Sequence, residues 1–504
     1  MRPVLSPAQM RAFEQEAFAR GLSPLLLMED AARELHRQIR LRIPENARTA
    51  AIFCGSGNNG GDGLALARLF QKDGLEVKVF LPVPPKTAEA RENLSCLTAL
   101  GVPVLQELPG DLSFDFCVDA IFGTGFHGTP EPPFDGWIRA IRGGRFGTVF
   151  SVDIPSGMDG ARGTAARDAD GTPLCVQADW TLMLGFPKAG LLTGPDRALC
   201  GELADCPIQL PDNEPETDLF LLEKRDIPAL LPTRERGMHK GNAGRVLLYA
   251  GSIGMAGAAA MAAQAALRAG AGLVTVACEE ELIPILQTLA PNAMCVPIRQ
   301  AVHRPPANDV LAAGCGLGTE ARTGENLIAL LQMETGPAVL DADALNLLAQ
   351  KPFPLPEKTL LTPHVGEAAR LLRTDTGMVL QDLPGSARRI AEASGANVLL
   401  KSSVSLATDG VRGYLNALTA PALAKGGSGD ALCGMTAAFL AERVVRGLPL
   451  QIPETAALSS LLLSLCGRRA EAVYGSRGAL TGDILSFLPE ALGECGKREQ
   501  AENG

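Results

Sequence analysis

The sequence predicts an α/β protein in two domains, each a mostly parallel sheet covered by helices. Three observations carry this expectation. At 504 residues the chain is too long for one ordinary core. Short Val/Ile/Leu runs that end in glycine loops alternate with Ala-rich helical runs, the pattern of parallel strands joined by crossover helices. The segment Leu210-Pro-Asp-Asn-Glu-Pro-Glu-Thr-Asp218 has two prolines, four acids and no apolar residue between Pro211 and Asp218, so it adds nothing to a core and marks a seam. The expected division is a first domain at 1–211, an acidic linker at 212–221, a second domain at 222–490 and a charged tail at 491–504.

Composition narrows the function classes. A net charge of −10 argues against nucleic acid as the main ligand, because neutralising phosphates needs a basic face. It leaves room for a small anion held by backbone amides. The 12 cysteines form no C-x-x-C pair and no His/Cys cluster at metal spacing, which reads as reduced thiols in the cytosol. The opening Met1-Arg-Pro-Val-Leu-Ser-Pro7 lacks the apolar core of a signal peptide. No apolar stretch approaches a membrane span without interruption. A cytoplasmic protein with neither nucleic-acid nor membrane partners is expected, assembled as a homo-oligomer.

In the first domain, Thr49 to Gly55 reads as a buried strand, followed by Gly55-Ser-Gly57-Asn-Asn-Gly60-Gly-Asp-Gly63 and a helical run from Leu64 to Lys72. This is formally G-x-G-x-x-G between strand and helix, a Rossmann-like arrangement in which amides at a helix N-terminus approach a phosphate. The next strand ends Phe80-Leu81-Pro82, without the acid that grips an adenosine ribose in ordinary dinucleotide sites. Asn58, Asn59 and Asp62 instead supply side-chain oxygens for a ligand or an alkali cation. Two later strands end in Asp119 with the loop Gly123-Thr-Gly125 and in Asp153-Ile-Pro-Ser156-Gly157. Strand C-termini of an open parallel sheet line one edge, where ligands bind, so Asn59, Asp119, Asp153 and Ser156 are expected to converge.

Those three segments, Gly57 to Gly63, Val118 to Gly125 and Val152 to Gly157, resemble the signatures of the NAD(P)H-hydrate epimerase family over about residues 1 to 210. The resemblance implies a three-layer α/β/α domain in which Asn58, Asn59, Gly60, Gly61 and Asp62 hold the hydrated nucleotide. It implies the same role for Gly123, Thr124, Gly125, Phe126, His127, Gly128 and Thr129. It further implies potassium at Asn59, Asp119 and Ser156, substrate contact and catalysis by Asp153, and a catalytic lysine at Lys188 in Gly185-Phe-Pro-Lys188.

In the second domain, Lys425-Gly-Gly427-Ser-Gly429-Asp430 runs into the apolar stretch Ala431 to Leu440. A glycine-rich turn that delivers amides onto a helix N-terminus suits phosphate transfer, and Asp430 at its mouth suits proton removal from an attacking hydroxyl. No G-x-x-x-x-G-K-[ST] sequence occurs, so a P-loop enzyme is excluded. With His239 to Arg245, Gly251 to Ala258, Gly270 to Gly272, Leu340 to Asn346 and Thr362 to Glu367, the motif is similar to the ADP/ATP-dependent NAD(P)H-hydrate dehydratase branch of the ribokinase-like superfamily over about 225 to 490.

That resemblance implies substrate contacts from Ala258, Gly318, His364 and Asp430. It implies nucleotide contacts from Lys401, Ser402, Ser403, Val404, Ser405 and Gly429, and an indirect magnesium role for Glu367. Lys401-Ser402 replaces the family's Lys-Gly, and Gly314-Cys315-Gly316 its Gly-Pro-Gly. Together the two halves are expected to act as a bifunctional NAD(P)H-hydrate repair enzyme. Its substrates would be NADHX and NADPHX, with ADP (or ATP) as co-substrate and Mg2+ and K+ as cofactors. One half would interconvert the R and S hydrates; the other would dehydrate the S form, yielding NAD(P)H, AMP and phosphate. The alternative is a vitamin-precursor kinase fused to a non-catalytic nucleotide-binding module, which leaves the first domain without a purpose.

Overall fold

The computed structural model describes residues 1–305, 308–334 and 336–493; the expected tail lies outside them from residue 494 onward. The chain divides into two compact units, Pro3–Thr217 and Asp218–Gly504, the latter also taking in Met1–Arg2. The division falls within the acidic segment 212–221. Inside that segment the apolar triplet Leu219–Leu221 forms a strand that pairs in parallel with residues 413–415.

The first unit is built on a seven-stranded sheet in the order Glu202–Cys206, Trp180–Leu184, Arg145–Val152, Ser113–Ala120, Thr49–Cys54, Glu76–Phe80 and Val104–Leu105. Every neighbouring pair is parallel. Alternate residues of Thr49–Cys54 face two separate cores, as a strand buried on both sides requires. Ala50, Ile52 and Cys54 pack with the helices Pro24–Arg40 and Asn58–Lys72, while Ala51 and Phe53 pack with Phe134–Gly143. This is the expected three-layer α/β/α arrangement.

The helix after the first glycine loop begins at Asn58, earlier than the run from Leu64 that periodicity predicts. The glycines therefore lie inside its first turns, where each costs about 1 kcal/mol of helix propensity. Close packing offsets that cost. A β-carbon on Gly60 would stand 1.9 Å from the Gly55 carbonyl oxygen, and one on Gly63 would stand 2.7 Å from the Ala120 β-carbon.

In the second unit the sheet runs Leu219–Leu221, Gly413–Asn416, Ser405–Thr408, Asn397–Lys401, Thr359–Leu361, Ala338–Leu340, Val310–Ala313, Arg245–Tyr249, Leu273–Cys278 and Met294–Pro297. From Asn397–Lys401 to Met294–Pro297 all pairings are parallel, and Ser405–Thr408 pairs antiparallel on both its sides. The helix Ser428–Val445 is buried on all faces from Ala431 to Arg443, which explains its unbroken apolar sequence. It lies against the Ala-rich helix Ala256–Ala269, whose small buried residues let two backbones approach. Among the described residues no helix is long and apolar enough to cross a membrane.

The tightest point of that helix pair yields a prediction. A β-carbon on Gly434 would stand 2.1 Å from the Ala262 carbonyl oxygen, a backbone atom that cannot swing aside. Gly434→Ala should therefore lose about 2–3 kcal/mol despite the better helix propensity of alanine. Denaturant titration of the variant checks this, and unchanged stability would contradict the close approach.

Candidate functional site

Chain order in the first sheet reverses about Thr49–Cys54, whose neighbours are Glu76–Phe80 and Ser113–Ala120. Loops leaving such a switch point diverge and open a crevice. A cavity of about 610 Å³ lies there, lined by Asn58, Asn59, Asp62, Asp153, Lys188 and residues 123–127, among others. Gly60 and Gly61 are buried beneath it, and Gly128 and Thr129 are exposed outside its lining. Of the residues expected to hold the hydrated nucleotide, these four do not face the cavity.

Asp153 and Lys188 form the centre of this site. Asp153 has φ 66°, a left-handed conformation that side chains other than glycine seldom adopt. Its N–H donates to the Leu182 carbonyl at 2.8 Å, and its Oδ1 accepts the Leu184 N–H at 3.1 Å. Lys188 Nζ donates to the same Oδ1 and, at 2.6 Å, to the Leu184 carbonyl. The lysine side chain is 1% exposed and the aspartate 11%, so this is a buried ion pair whose carboxylate reaches the cavity.

Two acids around it hold their protons more tightly than usual. Burial raises the Asp62 carboxyl well above the ordinary range, and the Asp153 and Glu14 charges add to the effect. Burial and Asp153 likewise raise Glu14. Glu14 and Arg11, on the helix Pro7–Ala19, line the cavity although no motif marked them. Arg11 Nη1 donates to the Thr124 carbonyl at 3.1 Å and so ties the helix to the Gly/Thr loop. The signal available in the sequence was only the Ser6-Pro7 helix start, which says nothing of what the helix faces.

Asp119 sits inside its strand, fully buried, and accepts from Ser151 Oγ and Ser156 N, each at 2.8 Å, and from Ser156 Oγ. These donors are neutral, and burial outweighs them and raises the carboxyl. Asn59 Nδ2 is buried without a hydrogen-bond partner, and a β-carbon on Gly123 would stand 3.3 Å from Asn59 Oδ1. A buried carboxylate, a serine hydroxyl and an amide oxygen are hard oxygen donors, and this set fits an alkali cation.

In the second unit a cavity of about 600 Å³ is lined by Lys401, Ser402, Ser403, Ser405, His364, Ser428 and Gly429, with Leu418, Pro421, Leu423, Leu432 and Leu463 as an apolar wall. Val404 is buried behind it, and Ala258, Gly318, Glu367 and Asp430 are outside its lining. The glycine turn is held from below: Thr481 Oγ1 donates to the Gly426 carbonyl at 3.0 Å and Lys425 Nζ to the Arg477 carbonyl at 2.6 Å. Gly427 has φ 95° and delivers the chain into the helix, where Ser428, Gly429 and Asp430 form the first turn. Ser428 Oγ is buried without a hydrogen-bond partner at the cavity wall.

Charged groups meet at this helix mouth. Lys401 Nζ lies 2.6 Å from Asp341 Oδ1. Burial by itself would lower the Lys401 ammonium, but Asp341 and Glu367 outweigh it and raise it. Burial and the Asp341 charge push the Asp430 carboxyl up to about 6. His364 caps the helix Val365–Leu372, its Nδ1 accepting the Gly366 N–H at 2.9 Å, while Glu367 Oε2 accepts the His364 N–H at 2.8 Å. Burial pushes Glu367 up to about 7 against the opposing pull of Lys401, and the carboxyl fits a role beside a divalent cation. Gly318 donates its N–H to Asp343 Oδ2 at 2.8 Å, which anchors the loop after Val310–Ala313. Asp341 is the group that sequence reasoning passed over. It stands in Leu340-Asp-Ala-Asp-Ala-Leu-Asn346, a motif recognised without a role for that acid.

With these geometries in hand, the relatives can be stated. A family model described as YjeF-related protein N-terminus matches residues 25–190, and one described as NAD(P)H-hydrate dehydratase matches residues 246–490. The bifunctional NAD(P)H-hydrate repair enzyme Nnr of Coxiella burnetii is 36% identical over 493 residues, covering 95% of this chain and 97% of that protein. The enzyme of the same name from Moorella thermoacetica is 35% identical over 524 residues, covering 97% and 96%, and that of Escherichia coli K12 is 32% identical over 493 residues, covering 95% and 91%. Among solved structures, a ribokinase-like superfamily protein from Enterococcus faecalis V583 superposes with a TM-score of 0.50 and 28% identity, covering 56% of this chain and 99% of that one. The chain belongs to the family of bifunctional NAD(P)H-hydrate repair enzymes.

Proposed function

We propose that the chain repairs hydrated NAD(P)H in two cytoplasmic reactions, one in each unit: interconversion of the R and S hydrates in residues 3–217, and ADP-dependent dehydration of the S hydrate in residues 218–504. The observation that carries this reading is that each unit has its own ligand-sized cavity with a perturbed acidic cluster beside it.

In the first cavity, inversion at the hydrated ring carbon passes through a cationic or ring-opened species. Asp153, aimed by its strained backbone and by Lys188, stabilises that positive charge and shuttles the hydroxyl proton. Residues 123–127, Asn58, Asn59 and Asp62 hold the nucleotide. Asn59, Asp119 and Ser156 would hold potassium, which would supply positive charge beside the nucleotide.

In the second, the hydrate hydroxyl gives its proton to Asp430 as its oxygen attacks the β-phosphorus of ADP, and AMP departs. The ring nitrogen then pushes out the phosphate, and loss of a proton from the neighbouring carbon restores the reduced nicotinamide. Amides of the Ser428–Val445 helix start stabilise the transferring phosphoryl group. Lys401, Ser402, Ser403, Ser405 and Gly429 hold the AMP moiety, whose base fits the apolar wall. Ala258, Gly318 and His364 position the hydrate, and Val404 contributes from the buried side of the loop. Glu367 would help hold magnesium, which would neutralise phosphate charge. The direct test is hydrated NADH with ADP and Mg2+, followed by return of the reduced-nicotinamide absorbance; no return would refute the assignment.

Three further outcomes are expected. Asp430→Asn keeps the size of the residue in the first turn of its helix but cannot take the hydroxyl proton. It should slow ADP-dependent NADH recovery roughly a hundredfold or more while stability changes within about 1 kcal/mol. Near-normal recovery would overturn the base assignment.

The pH dependence follows from the same group. Asp430 acts as a base only when ionised, and its carboxyl titrates at about 6. Recovery should therefore be flat above that pH and fall about tenfold for each further unit of acidity below it. A rate that stays constant down to the ordinary carboxylate range would point to another base.

Asp153→Asn would leave the buried Lys188 ammonium without its counter-charge, so it should destabilise the first unit by about 3–5 kcal/mol as well as stop epimerisation. Adding Lys188→Met should restore most of the stability and none of the activity. A thermal melt beside an epimer ratio followed by chromatography separates the two effects. Restored epimerisation in the double variant would remove Asp153 from the mechanism.

A further inference from the structure

Directly beneath the Asp430 mouth is a group that the proposed reaction does not use. Cys315, Asp341 and Cys433 are all buried, and their Sγ, carboxylate oxygen and Sγ atoms lie within 4.8 Å of one another. They come from three elements. Cys315 follows the strand Val310–Ala313, Asp341 follows Ala338–Leu340, and Cys433 lies in Ser428–Val445, one turn beyond Asp430. The Cys315 thiol has both Cys433 and the Asp430 carboxyl in its immediate surroundings.

We propose that Cys315, Cys433 and Asp341 form a binding site for a thiophilic d10 cation, Zn2+ or Cd2+, with the Asp430 carboxylate as fourth ligand, and that occupation of the site shuts off the dehydration reaction. Two sulfurs and two carboxylates make a four-ligand tetrahedral set of the kind these ions prefer. Ligand atoms around a tetrahedral zinc are about 3.8 Å apart, so Cys315, Asp341 and Cys433 need to close by only about 1 Å, and Asp430, which lies outside that group, must turn toward them. Binding releases two protons, one from each thiol, and the ion carries the two resulting thiolates, which burial would otherwise forbid. Lys401 holds Asp341 Oδ1, and the other oxygen remains for the metal. Access is through the partly exposed Asp430 at the mouth. The inhibitory consequence rests on the reading of Asp430 as the base; the binding itself does not.

The test uses the full chain, stripped with chelator and kept reduced, titrated with CdCl2 alone. Thiolate-to-cadmium charge-transfer absorbance and equilibrium dialysis report binding. The wild type should bind one more Cd2+ per chain than Cys315→Ser/Cys433→Ser, with the difference absorbance lost in the variant. The partly exposed Cys96 and Cys295, present in both proteins, set the background. One equivalent of Cd2+ or Zn2+ should cut ADP-dependent NADH recovery at least about tenfold in the wild type only, reversibly with EDTA, and leave epimerisation untouched. If the double variant does not fold by circular dichroism, the near-isosteric single variants carry the same test, each expected to weaken binding at least about tenfold. Equal stoichiometry and equal absorbance in wild type and variants would overturn the site. Binding without inhibition would overturn its inhibitory role, and the Asp430→Asn assay reports separately whether the base assignment itself has failed.

Discussion

Both sites depend on backbone touching backbone at glycine. A β-carbon on Gly55 would stand 1.9 Å from the Ile121 carbonyl oxygen, and one on Gly314 would stand 1.7 Å from that of Asp341. No other residue permits these approaches. Because they occur where parallel strands end, they draw successive strand-end loops against one another instead of letting them splay into solvent. Asn59 comes to rest on Gly123 in the first unit, and Cys315 on Asp341 in the second. The glycines that a motif reading assigns to phosphate contact are thus partly structural: Gly60 and Gly61 seat a helix, and the cavity lies above them.

The second constraint is buried charge. Asp153–Lys188 and Asp341–Lys401 are both buried ion pairs, and such pairs add little net stability because desolvation consumes most of the Coulombic gain. Their value lies in holding a charge at a chosen place before substrate arrives. Around each pair stand further acids, Asp62, Glu14 and Asp119 in the first unit, Asp430 and Glu367 in the second. Desolvation raises all of them. Acids raised in this way take up a proton or a cation more readily than solvated ones.

Much of this was legible in the chain, since strand ends and glycine loops are local features. Asp153 follows a β-branched run and precedes Ile-Pro, so its place at a strand terminus follows from its neighbours. The same holds for Asp430 after its glycines. Other features were not legible for equally physical reasons. Glu14 resembles any other acid on an amphipathic helix. The helix start at Asn58 was misplaced because glycine propensity was weighed without the packing that overrides it.

What the sequence determined by itself is the class of fold, the motif loops and the family they belong to. All of these rest on order along the chain: alternation, spacing and the chemistry of adjacent residues. Only the tertiary structure decided which of those loops share a cavity, that Lys188 meets Asp153 and Lys401 meets Asp341, and that Cys315 and Cys433 converge across 118 residues of chain beneath Asp430. It also decided which acids hold their protons. Proximity between distant segments is set by how helices seat on sheets, and proton affinity by how completely water is then excluded. Neither quantity exists until the chain has folded.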